Sequence, residues 1–324
     1  MMKNIAVMAW WDSSEYEVSL KSANNIINAL LEINEYRVFL ISCKWNLWIY
    51  KSDEGNPIEV NKNDFSIVLK NEHIKFDYAY ITIHWTPWEN WKLQWYLDMM
   101  NIPYSTWSVL NVAMWFDKYV SKIFLQSYNI LSPKWICIKK WEEYNEQDII
   151  SKLWLPLFVK PNGWWSSFGI TKVKEKESLR YAIAWAFDEC NSVIIEEAID
   201  GKEFTCWLFR SNNGIVVLPI TEIQTQEEFF NYKAKYLWSS KEITPARISD
   251  ELRIEIEDTS RIIYEKMNCE WIVRIDYIFR EWKLYFLEIN LTPWMTDSSL
   301  VPQQIKASWL SLSVVLKELI DKKF

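Results

Sequence analysis

Tryptophan stands where this chain has to turn. In KPNGWWSSFG (160–169), Trp164 and Trp165 sit inside a Gly- and Ser-containing loop of the kind that cradles phosphate. Trp10 and Trp11 follow the strand-like run KNIAVMA, Trp154 lies in KLWLP, Trp238 precedes Ser-Ser, and Trp282 occupies the tip of REWKLYF between two strand-like runs. Turn tips and strand ends favour glycine, which takes positive φ without a Cβ penalty. Ordinary usage of about 7% predicts about twenty-three glycines in such a chain; this one has 5, with 22 tryptophans. A Trp-rich carbohydrate-binding surface explains a few exposed indoles, but not their placement at turns.

The chain is 324 residues long and half apolar, enough for about two domains with sizeable cores. Its net charge of -7 argues against nucleic acid or an anionic membrane as partner, so an anionic substrate needs local cations or metal ions. Five scattered cysteines without a Cys-x-x-Cys pair read as reduced thiols, and two histidines, His73 and His84, exclude a multi-histidine metal site. The apolar run IAVMAWW is too short for a signal or membrane segment and is interrupted by Asp12. A soluble, cytoplasmic protein is expected.

Strand-like KNIAVMA, helical EVSLKSANNIINALLEI (17–33), and strand-like YRVFLIS (36–42) and DYAYITIH (77–84) alternate as in a parallel α/β unit. Such a sheet carries its functional loops at the carboxyl ends of its strands. One helix is expected over 108–129. PLFVKP, GITKV, SVIIEEAI, EFTCWLF and IVVLPITEI, with the helix SLRYAIAWAFDEC, suggest a small α+β module. A polar helix (250–268), the strands WIVRIDYIFR and KLYFLEIN, and a closing helical stretch complete the chain. KYLWSSKEITPAR (235–247) is the expected mobile loop.

The densest chemistry lies in RIDYIF…KLYFLEINLTP. Residues two apart in a strand share a face, so Arg274 projects with Asp276, and Glu288 with Asn290. Paired as a hairpin around Glu281 and Trp282, the strands gather Asp276, Glu288 and Asn290 as hard oxygen ligands for Mg²⁺, with Arg274 beside them for an oxyanion. A polar outer face with a surface salt bridge is the other reading. Lys118 in FDKYVSK and Lys160 before the hydroxyl-rich loop are candidate phosphate ligands, or solvated surface lysines. Glu196 and Glu197 end an apolar strand, as nucleotide ligands or ordinary strand-end charges. His84 ends another strand at the functional edge.

Together these segments resemble the D-alanine–D-alanine ligase family of the ATP-grasp superfamily. The resemblance runs in order along nearly the whole chain: WDSSEYEVSLKSA, IHWTPWENWKLQWYLD, MWFDKYVSK, VKPNGWWSSFGITKV, IIEEAIDGKEFT, YKAKYL, RIDYIF and FLEINLTPWMTDSSLVPQQIKASWLS. It implies an α/β fold: an N-terminal parallel α/β domain (1–108), then an ATP-grasp fold of two α+β subdomains (109–210 and 211–324). It implies that two D-alanines are joined at the expense of ATP through an acyl phosphate, for peptidoglycan precursors. By the same resemblance Asp276, Glu288 and Asn290 bind two Mg²⁺, with Mn²⁺ able to substitute. Lys118, Lys160 and Lys235 contact the phosphates, and Glu196, Glu197 and Glu203 hold base and ribose. Arg274 and the backbone N–H of Trp294 stabilise the oxyanion. Glu15 binds the first D-alanine's ammonium within a network with Ser166 and Tyr236; His84 sits near that substrate, and Ser299 and Leu300 bind the second. Residues 231–241 form a lid, Tyr236 favours D-alanine over D-lactate as second substrate, and a homodimer is implied.

The departures from the family pattern are of one kind. Trp10, Trp11, Trp85, Trp88, Trp91, Trp95, Trp107, Trp164, Trp165, Trp271, Trp294 and Trp309 stand where the family has glycine. Some bacterial lineages read the stop codon UGA as glycine, and decoding such a gene with UGA as tryptophan yields this text. A left-handed non-Gly residue costs about 1–2 kcal/mol, and overpacking adds ~1–3 kcal/mol. A dozen such sites exceed a typical domain stability of about 5–15 kcal/mol. Trp48 in NLWIY, inside a strand-like run, is the candidate for a true tryptophan. The competing readings are another ATP-grasp carboxylate–amine ligase and an inactive, Trp-rich carbohydrate-binding derivative.

Overall fold

The computed structural model describes residues 2–10, 16–52, 55–83, 91–163, 169–225, 240–297 and 299–324. The first unit is a mixed sheet in the order β4-β3-β2-β1-β7. Its strands are β1 (Lys3–Trp10), β2 (Tyr36–Lys44), β3 (Leu47–Lys51), β4 (Pro57–Glu59) and β7 (Tyr78–Ile81), with β5 (Ser66–Leu69) and β6 (Glu72–Lys75) as a separate hairpin. Central β1 runs parallel to both β2 and β7, and Ile5 to Met8 are fully buried, which is why KNIAVMA reads as a continuous apolar run. Helix α1 (Tyr16–Leu31) buries Ser19, Ser22, Ala23, Ile26, Ala29 and Leu30, one face at helical spacing. Helix α2 (Lys92–Met99) follows.

The sequence predicts one helix over 108–129. The structure has two, α3 (Val109–Trp115) and α4 (Lys118–Gln126), because Asp117 starts a new helix by accepting from Val120 N at 2.8 Å. The central unit is the antiparallel sheet β10-β9-β11-β8, from β8 (Trp135–Lys139), β9 (Leu157–Pro161), β10 (Thr171–Val173) and β11 (Ser192–Glu197), with α5 (Glu146–Leu153) and α6 (Leu179–Glu189). Its own small core includes Ile138, Val159, Ile183 and Ile195.

The third sheet runs β15-β14-β12-β16-β17 with β13 against β12: β12 (Lys202–Ser211), β13 (Gly214–Val217), β14 (Thr221–Thr225), β15 (Ser240–Ile243), β16 (Val273–Arg280) and β17 (Lys283–Asn290). Of the expected mobile loop, residues 235–239 lie outside the described residues and Ser240–Ile243 pair with β14. Helices α7 (Asp250–Lys266), α8 (Leu300–Ala307) and α9 (Leu312–Asp321) complete the fold. One apolar core runs from α1 and β1 through β12, β16 and α7 to α9. Polar ties fasten the first unit to the C-terminal segments: Tyr36 Oη donates to Asp321 at 2.8 Å, and Lys317 pairs with Glu35 at 3.0 Å.

Tryptophan stands in left-handed backbone at several turns, among them those after β16 and after α8. At the β16–β17 turn Glu281 and Trp282 have φ of 49° and 63°, a two-residue turn with both central residues positive, for which glycine is preferred at the second. After α8, Trp309 N donates to Lys306 O and Leu310 N to Ile305 O, a Schellman ending with Trp309 (φ 61°) at the usual glycine position. Trp282 and Trp309 are 92% and 96% exposed, so their indoles gain nothing from burial to offset the strain. In protein made with these tryptophans, Trp282→Gly and Trp309→Gly should each raise the unfolding free energy by about 1 kcal/mol. That is the relief of about 1–2 kcal/mol of strain less the entropy glycine loses on folding. Urea titrations of the single variants measure it, and unchanged or lowered midpoints would contradict the strain.

Candidate active site

The β16–β17 pairing builds one half of the site. Arg274 lies opposite Asn290 and Asp276 opposite Glu288, so all four share a face. A regular hairpin would not do this. From Arg280↔Lys283 to Tyr277↔Phe286 the register is constant, and continuing it would set Leu287 against Asp276. A bulge between Asp276 and Tyr277 leaves Leu287 unopposed and brings Glu288 into its place. Arg274 Nε donates to Asp276 Oδ2 at 3.0 Å, and Arg274 Nη2 lies 3.7 Å from Glu288 Oε1. These side chains are largely but not wholly shielded.

Strand β12 extends the face. Thr205 pairs with Asp276, Trp207 with Arg274 and Glu203 with Ile278, and the Arg274 guanidinium lies 5.7 Å from the centre of the Trp207 ring. Glu242 on β15 joins the same face through Ile223, which also pairs with Glu203. Burial moves the Glu242 carboxyl pKa up, against the opposing pull of a Gln303 hydrogen bond and Arg274. Asp276, Glu288 and Asn290 together present two carboxylates and an amide, an oxygen set that fits Mg²⁺. Among the described residues there is no cluster of three or more His, Cys, Asp or Glu side chains able to hold a metal.

The segment after β17 is tied to α1. Ser22 Oγ accepts from Met295 N at 3.1 Å, and Asn25 Nδ2 donates to Met295 O at 2.6 Å, fixing Trp294 between Asn290 and α1. Asn290 Oδ1 accepts from Thr292 N at 3.2 Å. Ser299 precedes α8 and its hydroxyl bonds Thr296 Oγ1 at 2.6 Å, with Leu300 opening the helix.

The other half lies in the central sheet. Lys160 on β9 and Glu196 on β11 are diagonal neighbours on one face, and Lys160 Nζ donates to Glu196 Oε2 at 2.6 Å. Lys122, one helical turn after Lys118, brings Nζ to 2.9 Å from Glu196 Oε1, an ion-pair distance at which hydrogen-bond angles are not met. Burial favours the neutral Glu196 carboxyl, but Lys122 and Lys160 outweigh it and bring the pKa down to about 2. Burial likewise opposes the Lys160 ammonium, and Glu196 prevails, moving it up. Lys118 N donates to Asn162 O at 3.3 Å and Tyr119 N to Asn162 Oδ1 at 2.9 Å, joining the start of α4 to the loop after Lys160.

Sequence reading treats Glu196 and Glu197 as a pair. Alternation sets them on opposite faces, and Glu197 Oε1 instead accepts from Lys134 N at 2.8 Å. Sequence reading misses Lys122 and Glu242; the signal for Lys122 is its i+4 spacing from Lys118 in DKYVSK. Glu15, His84, Ser166, Lys235 and Tyr236, with the expected lid through residue 239, lie outside the described residues.

Comparison with known proteins decides the family. The family model described as "D-ala D-ala ligase C-terminus" matches residues 124–321. The D-alanine–D-alanine ligase of Bacteroides fragilis (strain YCH46) is 40% identical over 325 residues, covering 100% of both chains. The chain belongs to the D-alanine–D-alanine ligase family. Among solved structures, the VanG D-Ala:D-Ser ligase of Enterococcus faecalis is 30% identical, with a TM-score of 0.87 and 100% of both chains covered. The D-alanine–D-alanine ligase of Bacillus anthracis complexed with ATP is 28% identical, with a TM-score of 0.79, covering 98% of this chain and 96% of that one. The family fold is thus present along the whole ligase chain, as an N-terminal α/β unit followed by the ATP-grasp sheets.

The Lys–Glu–Lys cluster of this ligase makes stability depend on acid. Glu196 titrates lower folded than unfolded, so its contribution is present above its ordinary pKa of 4.5 and is lost as pH falls through about 2. Glu196→Ala strands two lysines and should cost about 3–5 kcal/mol at pH 7. That difference from the parent should narrow below pH 4.5. Urea titrations at pH 7 and pH 3 check both points, and an equal difference at the two pH values would refute the ion-pair account.

Proposed function

We propose that this chain ligates two D-alanines to D-alanyl-D-alanine at the expense of ATP, supplying peptidoglycan precursors. The observation carrying this reading is the bulged hairpin face, where Arg274 stands beside Asp276, Glu288 and Asn290 in a chain matching D-alanine–D-alanine ligases end to end. The carboxylate of the first D-alanine attacks the γ-phosphorus, the bond to the leaving ADP oxygen breaks, and an acyl phosphate forms. The second D-alanine's amine, having lost its extra proton, attacks the acyl carbon, and phosphate leaves from the tetrahedral intermediate.

Arg274 and the Trp294 N–H stabilise the developing oxyanion. Asp276, Glu288 and Asn290 would hold two Mg²⁺, and the ions would neutralise charge on the phosphates. Lys118, Lys160 and Lys235 contact those phosphates, Glu203 and the Glu197 segment take base and ribose, and Glu196 serves them from within as the buried counter-ion of Lys160. Glu15, Ser166 and Tyr236 orient the first D-alanine near His84, and Ser299 and Leu300 the second, under a lid over 231–241 that excludes water. The domains are 1–108, 109–210 and 211–324, with β12 serving the third sheet from across the second boundary. A cytoplasmic homodimer completes the reading. Among the described residues no helix is long and apolar enough to cross a membrane.

We further infer that most tryptophans are glycine in the protein the gene specifies. Trp45, Trp91, Trp154, Trp282 and Trp309 all have positive φ, and Trp154 combines φ 66° with ψ 149°, a region that belongs almost entirely to glycine. Protein from its native host should have a mass below the 39.1 kDa of the written sequence by one Trp-to-Gly difference per recoded site. An intact mass of 39.1 kDa would overturn the inference.

Glycine-restored protein should release ADP only when D-alanine and a divalent ion are both present, and chelation should abolish turnover. Arg274→Met should lower kcat/KM by about 10²–10³. D-Serine and D-lactate in competition with D-alanine test the second substrate, since one structural relative is a D-Ala:D-Ser ligase. A clear preference for either competitor would overturn the D-alanine assignment.

A further inference from the structure

Lys122 lies against the candidate site without a part in the proposed reaction. It is 2% exposed, on the buried face of α4 with Lys118, Ser121 and Leu125. Its ammonium approaches one oxygen of Glu196 at 2.9 Å while Lys160 takes the other at 2.6 Å. The Phe286 ring centre lies 5.9 Å from Lys122 Nζ, so the surroundings on that side are apolar. Two cations therefore share one carboxylate, and Glu288 of β17 is a more distant anion acting on both.

As a prop for the fold this arrangement is poor. Lys160 and Glu196 already form a neutral pair, and a second buried ammonium adds desolvation with only the more distant Glu288 to offset it. Burial indeed moves the Lys122 pKa down despite Glu196. The two lysines differ in reach. The Lys160 side chain is 17% exposed and leads into the Asn162–Gly163 loop, whereas that of Lys122 is 1% exposed. If Lys160 turns outward to an anion, Glu196 keeps a counter-ion only because Lys122 remains.

We propose that Lys122 is a positioning residue, anchoring the Glu196 carboxylate so that Lys160 is free to engage a nucleotide phosphate. Without Lys122, Lys160 is the sole counter-ion of a buried carboxylate and is held back from the phosphate. This rests on the reading of Lys160 as a phosphate ligand. It separates the two ends of the nucleotide: losing Lys122 weakens phosphate binding and spares the nucleoside, because the Lys160–Glu196 pair still fixes the sheet.

Calorimetric titration of adenosine and of ATP into full-length, glycine-restored protein and its Lys122→Met and Lys122→Arg variants tests this. Lys122→Met should raise the ATP Kd at least tenfold and leave the adenosine Kd within twofold, with a urea midpoint no lower than the parent's. Lys122→Arg should recover most of the ATP affinity. Equal loss of both ligands, an unaltered ATP Kd, or a Lys122→Met protein that does not fold would each overturn the proposal. A parent that binds no ATP overturns the nucleotide reading and this inference with it; a parent that binds ATP normally beside an unaltered Lys122→Met variant overturns this inference alone.

Discussion

The register slip between β16 and β17 governs the chemistry of this fold. One unopposed residue, Leu287, moves Glu288 opposite Asp276 and Asn290 opposite Arg274. Without it, an aliphatic side chain would stand beside Asp276. Bulges re-aim side chains where pairing would otherwise continue, at a small loss of ladder hydrogen bonding. The hairpin bears that loss because its other face packs into the core, where Ile275, Tyr277, Phe286 and Ile289 are buried, with Tyr277 bonded to Ser260 of α7 at 2.7 Å.

Two ionic clusters stand in the two sheets, Arg274 with Asp276 and Glu288 in one and Lys122 and Lys160 with Glu196 in the other, and Glu288 acts on both lysines. A polyphosphate with its divalent ions needs both, anionic oxygens for the metal and ammonium groups for the phosphates. That gives a physical reason for one fold to keep costly, shielded charge sets in two sheets.

How much was readable from the chain depended on whether the signal was local. Alternation along RIDYIF and FLEIN revealed which residues share a face within each strand, and the buried run of KNIAVMA gave its central strand. Register across strands was not local, so the bulge was invisible even though its product was anticipated. Asp117 is a one-residue cap signal lost inside an otherwise helical run, so 108–129 read as one helix. Lys122 looked like an ordinary helix lysine because burial depends on a strand 74 residues away, at Glu196. Resemblance, not pattern, supplied Glu203, Ser299 and Leu300.

The tryptophans sort by whether the fold has a use for the indole. Trp48 is buried, meets Phe65 and Tyr96 edge-on, and donates Nε1 to Trp45 O at 3.2 Å; Trp115 donates to Met267 O at 3.0 Å. Buried indoles normally find such a partner. Trp107 and Trp207 are just as buried, yet neither Nε1 has one. An unsatisfied buried donor costs about 1–3 kcal/mol, a defect that glycine does not have. Trp282 and Trp309 fail in the opposite way, exposed and left-handed. Strain at the surface and orphaned donors inside are independent faults, and a single substitution of residue type removes both.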